Sequence, residues 1–240
     1  MFYFHTDKGL VREKNEDNVD AFVHNDVTFM MVLDGMGGHK KGETASSMAM
    51  KIVREKISKY KRFRSLLHLR HLMIKAIKKA NKEVNILGNS LIEYAEMGTT
   101  LILVAITSDS LIMCNIGDSR CYVIDENKLQ QISVDQTYVE FLYNTGKITE
   151  EEKKVHPKRH VLMNALGTYP SISVATTTYK RKFDKIMLCS DGLYNMVENE
   201  YIEKLLLKTD LTTEEKVKEL VNLSNLNGGK DNIAIALWED

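Results

Sequence analysis

Proline is close to absent from this chain. Only Pro157 and Pro170 occur among 240 residues, and no Pro-rich stretch, Gly/Ser-rich stretch or internal repeat interrupts the sequence. Without such punctuation nothing marks a boundary between independently folding halves, so one domain spanning residues 1–240 is expected. Net charge is lacking too: 33 basic residues balance 33 acidic ones, which excludes a whole-molecule pull toward nucleic acid or an anionic membrane. No apolar run approaches membrane-spanning length, and Met1 to Lys8 has neither the basic onset nor the apolar core of a signal peptide, so a cytoplasmic location is expected. Cys114, Cys121 and Cys189 lie in apolar runs; an odd number of such thiols fits a reducing compartment and no disulfide framework. Zinc hydrolysis lacks its usual His-Glu-x-x-His or paired-cysteine patterns, and Gly228-Gly229-Lys230 lacks the remaining parts of a nucleotide-binding P-loop. Nothing resembles a heptad seam, so a monomer is the default.

What is present is a set of short acidic clusters spread along the chain. Asp34 opens Asp-Gly-Met-Gly-Gly-His, Asp118 sits in Gly-Asp-Ser-Arg, Asp191 in Ser-Asp-Gly-Leu and Asp231 in Lys-Asp-Asn. Each adjoins an apolar run, so each carboxylate is expected at a strand end, and several at one sheet end would make a cage of hard oxygen ligands suited to Mg²⁺ or Mn²⁺. Like charges gathered in that way require a cation to neutralise them. Taken singly, each cluster has a plainer explanation. Asp34-Gly35 and Asp191-Gly192 are ordinary turn pairs, Asp118 the corner of a hairpin, and Asp231 the cap before an edge strand. Their joint placement at the ends of core strands, with Arg12-Glu-Lys-Asn-Glu-Asp17 near the start, tips the reading toward a metal-dependent enzyme.

The apolar pattern sets the architecture. Val27 to Leu33 reads as a buried strand feeding a glycine turn. Ala45, Met48, Ala49, Ile52 and Ile57 recur at helical spacing, and Leu69, Met73, Ala76, Ile77, Ala80, Val84 and Leu87 line one face of a second helix. Leu101–Ile106, Leu111–Ile116, Cys121–Ile124 and Leu129–Ile132, with short connections, predict an antiparallel meander. Gln136 to Lys158 reads as polar helices and loop. Ile186–Cys189 predicts another strand, Val217 to Leu223 a helix, and Ile233–Leu237 a last strand. Two antiparallel sheets packed together with helices outside are expected. The basic stretch from Lys51 to Lys82 reads as a solvated helix face and carries no assigned function.

Two cations bridged by a carboxylate and water would lower the pKa of the water and clamp both ends of a phosphoryl displacement. Arg12 would add bidentate phosphate recognition, although by itself a surface ion pair with Glu16 is the simpler reading. These parts describe a phosphate-ester hydrolase. Cys114-Asn-Ile-Gly-Asp-Ser-Arg120 also matches the Cys-x₅-Arg spacing of cysteine phosphatases. There the pattern misleads, because Cys121-Tyr-Val-Ile continues as a strand where an anion-binding helix is needed, and Asp118 would repel the phosphate.

In order along the chain, Arg12-x-x-Asn15-Glu16-Asp17, Asp34-Gly-Met-Gly-Gly-His39, Gly98-Thr-Thr100, Gly117-Asp-Ser-Arg120, Asp135-Gln-Thr137, Ser190-Asp-Gly-Leu193 and Asp231-Asn232 resemble the metal-dependent protein phosphatase family, type 2C. The likeness covers nearly the whole chain and is nearest to the compact bacterial members that reverse serine/threonine kinases. It implies an α+β fold, a four-layer α-β-β-α sandwich with metals between two antiparallel sheets, and a flap at approximately 136–169. It implies Mn²⁺ or Mg²⁺ as cofactor, two core ions and a third, and hydrolysis of phosphoserine and phosphothreonine on proteins by direct attack of a metal-bridging water or hydroxide. By the same likeness Asp34 and Asp191 are catalytic. Asp34, Gly35, Asp118, Asp191 and Asp231 hold metal, and Arg12 holds the substrate phosphate. Glu16, Asp17, His39 and Asn232 support from behind. The implied partners are phosphorylated proteins, with a serine/threonine kinase and its substrates foremost.

Two positions depart from the pattern. Met36 stands where animal members often have a histidine, and it can neither donate a proton nor bind phosphate. His39 is a candidate donor, or else a turn histidine orienting carboxylates. Gln136 stands where the family usually has histidine, and an amide that cannot titrate retains hydrogen bonding alone. His156 and His160 flank a Pro-Lys-Arg turn, read as an exposed polar loop or as a phosphopeptide contact. The alternative to an enzyme is a catalytically inactive metal- or phosphoprotein-binding module of the same fold, whose signature would be a missing ligand.

Overall fold

The computed structural model describes residues 1–37, 40–180 and 183–240. The chain opens with β1 (Phe2–Asp7), β2 (Asn18–His24), β3 (Val27–Leu33) and the two-residue β4 (Gly35–Met36), then two long helices, α1 (Lys40–Ser58) and α2 (Leu66–Ser90). Strands β5 (Gly98–Thr99), β6 (Leu101–Ile106), β7 (Ser110–Ile116), β8 (Arg120–Asp125) and β9 (Lys128–Gln131) follow. Helices α3 (Tyr138–Asn144) and α4 (Glu150–Val155) lead to β10 (Ala175–Lys180) and β11 (Lys185–Cys189). Helices α5 (Asp191–Tyr194), α6 (Asn199–Leu206) and α7 (Thr213–Leu226) precede the final β12 (Ile233–Glu239).

Two five-stranded antiparallel sheets result, in the orders β1-β12-β11-β8-β9 and β10-β7-β6-β3-β2, with β4 and β5 as a separate pair. Alternation along each strand sends side chains to two faces. Met30, Val32, Ile102 and Val104 meet Cys121, Val123, Ile186, Leu188 and Ala236 between the sheets. Phe29, Met31, Leu33 and Leu103 face outward against Ala45, Val53, Met73 and Ile77 of α1 and α2. On the other outer face Ile235, Leu237 and Met187 pack against Leu193, Ile202, Val217 and Leu220 of α5–α7. Three apolar layers thus hold a four-layer α-β-β-α sandwich, each fully buried branched side chain contributing ~1.5–3 kcal/mol of transfer free energy.

Local chemistry fixes the connections. Asn25-Asp26 and Glu126-Asn127 hold left-handed φ values of 52°, 60°, 48° and 62°. These are the tight two-residue hairpin turns that suit the strand twist of β2–β3 and β8–β9. Thr212 and Glu215 exchange bonds in a capping box that starts α7, and Ser65 caps α2.

The expected meander from Leu101 to Ile132 is corrected in one respect. Strands β6 and β7 pair with each other in one sheet, while β8 and β9 pair in the other. The break falls at Gly117, whose φ of 88° turns the chain from sheet to sheet, so Asp118 is not the corner of a hairpin. Cys121 and Val123 therefore fill the inter-sheet layer from the sheet opposite β7, facing its Leu111 and Met113 side.

Candidate active site

Asp34 ends β3 and its main chain is locked by threonines. Its N–H donates to Thr100 Oγ1 at 2.9 Å, and its carbonyl accepts from the Thr100 N–H and the Thr99 hydroxyl, both at 2.9 Å. Thr100 Oγ1 also lies 2.7 Å from Ser119 Oγ, tying the Asp34 strand end to the turn that carries Asp118. Gly35 pairs with Thr99, and a Cβ there would stand 2.3 Å from the Gly42 carbonyl oxygen and 2.6 Å from that of Glu16. Only glycine permits that approach, which explains the Asp34-Gly35 and Gly98-Thr-Thr motifs together.

Asp191 begins α5, where β11 ends. Asn195, one helical turn on, donates to Asp191 Oδ2 at 3.0 Å. Arg12 Nη2 donates to Asp231 Oδ2 at 2.7 Å, and no helix spans Arg12 and Glu16, so the simple Arg12–Glu16 ion pair is not the arrangement adopted. Asn232 gathers the amino-terminal loop: its Oδ1 accepts from the Glu16 N–H, and its Nδ2 donates to the Lys8 and Lys14 carbonyls, all at 2.8 Å.

Arg12, Glu16, Asp34, Gly35, Asp118, Asp191, Asp231 and Asn232 all line one cleft of about 940 Å³. Asp17 lies buried, near enough to Asp34 and Ser190 for hydrogen bonding, and does not line the cleft. His39 lies outside the described residues. The cleft also takes in residues that sequence reasoning missed. Lys154 and Arg159 enter from the segment 136–169 and Lys230 from the loop before β12, while His160, exposed in a turn as expected, also borders the cleft. Spacing could have found Asn195, four residues after Asp191; nothing in the sequence shows which residues of 150–160 face inward.

Electrostatics make the floor unusual. Burial raises the Asp34 and Asp191 carboxyls well above the ordinary carboxylate range, with the charges of Asp17, Asp118 and Asp231 adding to it. Burial likewise pushes Asp17 up to about 7 and Asp118 up to about 6. Glu16 shifts upward for the same reason, partly offset by Arg12. Glu16 Oε1 and Asp17 Oδ2 are buried without a hydrogen-bond partner. Such groups require positive charge or protons. Among the described residues no three carboxylate, histidine or cysteine side chains converge to hold one ion by themselves. An ion such as Mg²⁺ takes one or two carboxylates and completes its shell with carbonyl and water oxygens. Hard oxygen donors, a glycine carbonyl and orphaned buried oxygens therefore fit divalent cations.

The cysteine-phosphatase pattern dissolves in three dimensions. Cys114 is buried with its thiol pushed up to about 11 by that burial. Arg120 points to Asp135, donating from Nη2 at 2.7 Å, and lies 3.5 Å over the Tyr194 ring.

Comparison with known proteins gives a consistent picture. The family description Protein phosphatase 2C matches residues 4–234. The serine/threonine phosphatase stp of Listeria monocytogenes is 34% identical over 238 residues, covering 98% of this chain and 94% of that protein. The crystal structure of the serine/threonine phosphatase Stp1 from Staphylococcus aureus superposes with a TM-score of 0.93 at 32% identity, covering 100% of this chain and 94% of the other. The catalytic domain of the serine/threonine protein phosphatase PstP, in complex with two manganese ions, superposes at 0.84 with 29% identity, covering 99% and 96%.

Proposed function

The chain belongs to the protein phosphatase 2C family, and from that membership we infer that the carboxylate-floored cleft is the catalytic centre of a metal-dependent serine/threonine protein phosphatase. Its substrates are phosphoproteins. The observation that carries the assignment of the site is the convergence of Asp34, Asp118, Asp191 and Asp231 with Arg12 on one cleft, with burial holding the first three carboxyls above their ordinary range.

Asp34, the Gly35 carbonyl, Asp118, Asp191 and Asp231 would hold Mn²⁺ or Mg²⁺, and Glu16, Asp17 and Asn232 would support them. The ions, when bound, supply charge neutralisation at the phosphoryl oxygens and acidify water for in-line attack. Arg12 binds and orients the phosphate: Asp231 engages one Nη2 donor, leaving the rest of the guanidinium fork for phosphate oxygens. Met36 lines the cleft and carries no transferable proton. Burial, with the neighbouring charge of Arg159, lowers the His160 pKa below its usual value, so the ring is neutral at physiological pH and a poor acid. Among the described residues the proton for the departing serine or threonine oxygen is therefore assigned to water; His39, the other candidate donor, lies outside them.

Residues 1–240 act as a single catalytic domain with residues 136–169 as its flap. The exposed Lys154, Arg159 and Lys230 at the cleft mouth suit the backbone and acidic groups around a phosphorylated side chain. No described helix is long and apolar enough to cross a membrane, and three buried free thiols suit a reducing cytoplasm. There the protein works as a monomer on a serine/threonine kinase and that kinase's targets.

The test is hydrolysis of a phosphothreonine peptide by wild-type and Asp191→Ala protein, each with Mn²⁺ and with chelator. Turnover confined to the wild type with Mn²⁺ is expected. A folded, metal-loaded wild type with no turnover would move the reading to a binding module.

A further inference from the structure

Gln136, the position where the family motif is broken, occupies a junction that the assignments above leave unused. Its main-chain N–H donates to the Gly117 carbonyl at 3.0 Å, and its carbonyl accepts from the Met163 N–H at 2.9 Å. Its side-chain Oε1 accepts from two donors, the Gly117 N–H at 3.1 Å and Asn164 Nδ2 at 2.7 Å, while Nε2 donates to the Asn115 carbonyl at 3.2 Å. One residue therefore grips both polar groups of Gly117, immediately before Asp118, and both strands of the flap root.

The turn it grips has little freedom of its own. Gly117 has a φ of 88°, and a Cβ on it would meet Thr100 Cγ2 at 2.7 Å, so the peptide preceding Asp118 is wedged against the threonine that fixes Asp34. The adjacent Asp135 reaches the same turn from the other side. Its carboxylate holds Arg120, which lies over the Tyr194 ring, and the Tyr194 hydroxyl donates to the Asp118 carbonyl at 3.2 Å. Asp135 thus steadies Asp118 through packed, part-buried groups. Gln136 links it to a segment with far less support, since α4 has no buried residue and Lys154, Val155 and Arg159 are exposed.

We propose that Gln136 is a positioning residue that couples the flap root at Met163–Asn164 to the Gly117–Asp118 turn, so that displacement of the flap shifts Asp118 relative to Asp34. A neutral amide suits the task because it accepts twice and donates once whatever its surroundings. The catalytic part of the proposal rests on the function proposed above; the mechanical part does not.

The experiment uses the full chain and two readouts. Gln136→Leu removes three side-chain hydrogen bonds and leaves the main-chain pair; Asn164→Leu cuts the flap half, together with the Asn164 bond to the Ser173 carbonyl, and leaves Gly117 with all its partners. Amide hydrogen exchange in the metal-free protein is expected to rise about tenfold at Gly117 and Asp118 in both variants, with the β3 and β6 amides unchanged. With Mn²⁺, kcat on p-nitrophenyl phosphate is expected to fall about tenfold while KM stays within about twofold, because Arg12 is outside the network. Gln136→Glu keeps both acceptor contacts and loses the Asn115 donation, so an intermediate effect is expected; it also serves if the leucine variant does not fold. Wild-type exchange at Gly117 in Asn164→Leu would overturn the coupling. So would an unchanged kcat in folded Gln136→Leu. If the wild type shows no turnover at all, the exchange result decides the coupling alone.

Discussion

A methyl group added to Gly35 would press into the Gly42 and Glu16 carbonyl oxygens at 2.3 and 2.6 Å, whereas one added to Gly146 would meet nothing within 4 Å. The two glycines sample two regions of very different physical character. The floor of the cleft is made of strand ends locked by threonine and asparagine side chains, with carboxylates held against their electrostatic preference. The segment 136–169 beside it holds two short helices, one with its capping box and neither with more than two buried residues. Its return is anchored mainly at the roots, by Gln136 and by Asn81 and Asn85 of α2, which bind the Gly167 N–H and carbonyl at 2.8 and 2.9 Å. Rigidity is concentrated at the carboxylates, and sparse packing in the segment that overlies them.

Substitutions can sharpen or break that contrast. The largest effect is expected from Gly35→Ala, where backbone on two sides leaves no room to yield: a loss of ~3 kcal/mol or more in stability, with metal-dependent turnover gone. Denaturant unfolding measures it, and a loss below ~1 kcal/mol would show that the floor is softer than described. Arg12→Ala comes next, with KM for a phosphopeptide rising about tenfold and kcat falling less, from loss of charge-assisted hydrogen bonds. An unchanged KM would remove Arg12 from the phosphate.

The floor should also betray itself through pH. Asp118 and Asp17, raised to about 6 and about 7, bind protons more tightly folded than unfolded. Groups of that kind favour the folded state fully below the ordinary carboxylate pKa, and the contribution disappears as pH climbs through 6 and 7. Acidifying the metal-free protein from about pH 7.5 to about pH 5.5 should therefore return stability at the floor. The rise in Tm on adding Mn²⁺ should be larger at the higher pH, where protons no longer compete. Equal rises at both values would mean that these carboxylates do not face the ions. The smallest effect is expected from Gly146→Ala, where only the left-handed φ of 68° opposes a side chain: ~1 kcal/mol, with turnover on p-nitrophenyl phosphate unchanged.

The same division governed what could be read from the sequence. Buried strands announce themselves: Val27–Leu33 and Ile186–Cys189 are nearly continuous apolar runs and lie where expected, as β3 and β11. Strand β10, Ala-Thr-Thr-Thr-Tyr-Lys, is a largely exposed sheet edge and gives no such pattern. In β2 the alternation is broken by Asp20, a buried carboxylate bonded to Arg54, and the pairing partner sits 34 residues away. Crossing from one sheet to the other at Gly117 was invisible because a tight hairpin and a sheet-to-sheet turn use the same glycine. At the site, Asp34, Asp118, Asp191 and Asp231 were legible as carboxylates after apolar runs. Lys154 and Arg159 were not, because on a helix without a buried face, and in the exposed turn that follows it, nothing in the sequence records which side meets the cleft.

The pairing of β1 with β12 has a consequence in time. The two strands lie at opposite ends of the chain, and Arg12 meets Asp231 across 219 positions of sequence. Until β12 is made, the chain lacks both Asp231 and the asparagine that draws Lys8, Lys14 and Glu16 together, so the carboxylate-floored end of the sandwich has neither its last carboxylate nor the partner that holds Arg12. Closure of that end therefore waits on a pairing between strands more than two hundred residues apart, the kind of long-range contact that makes folding slow.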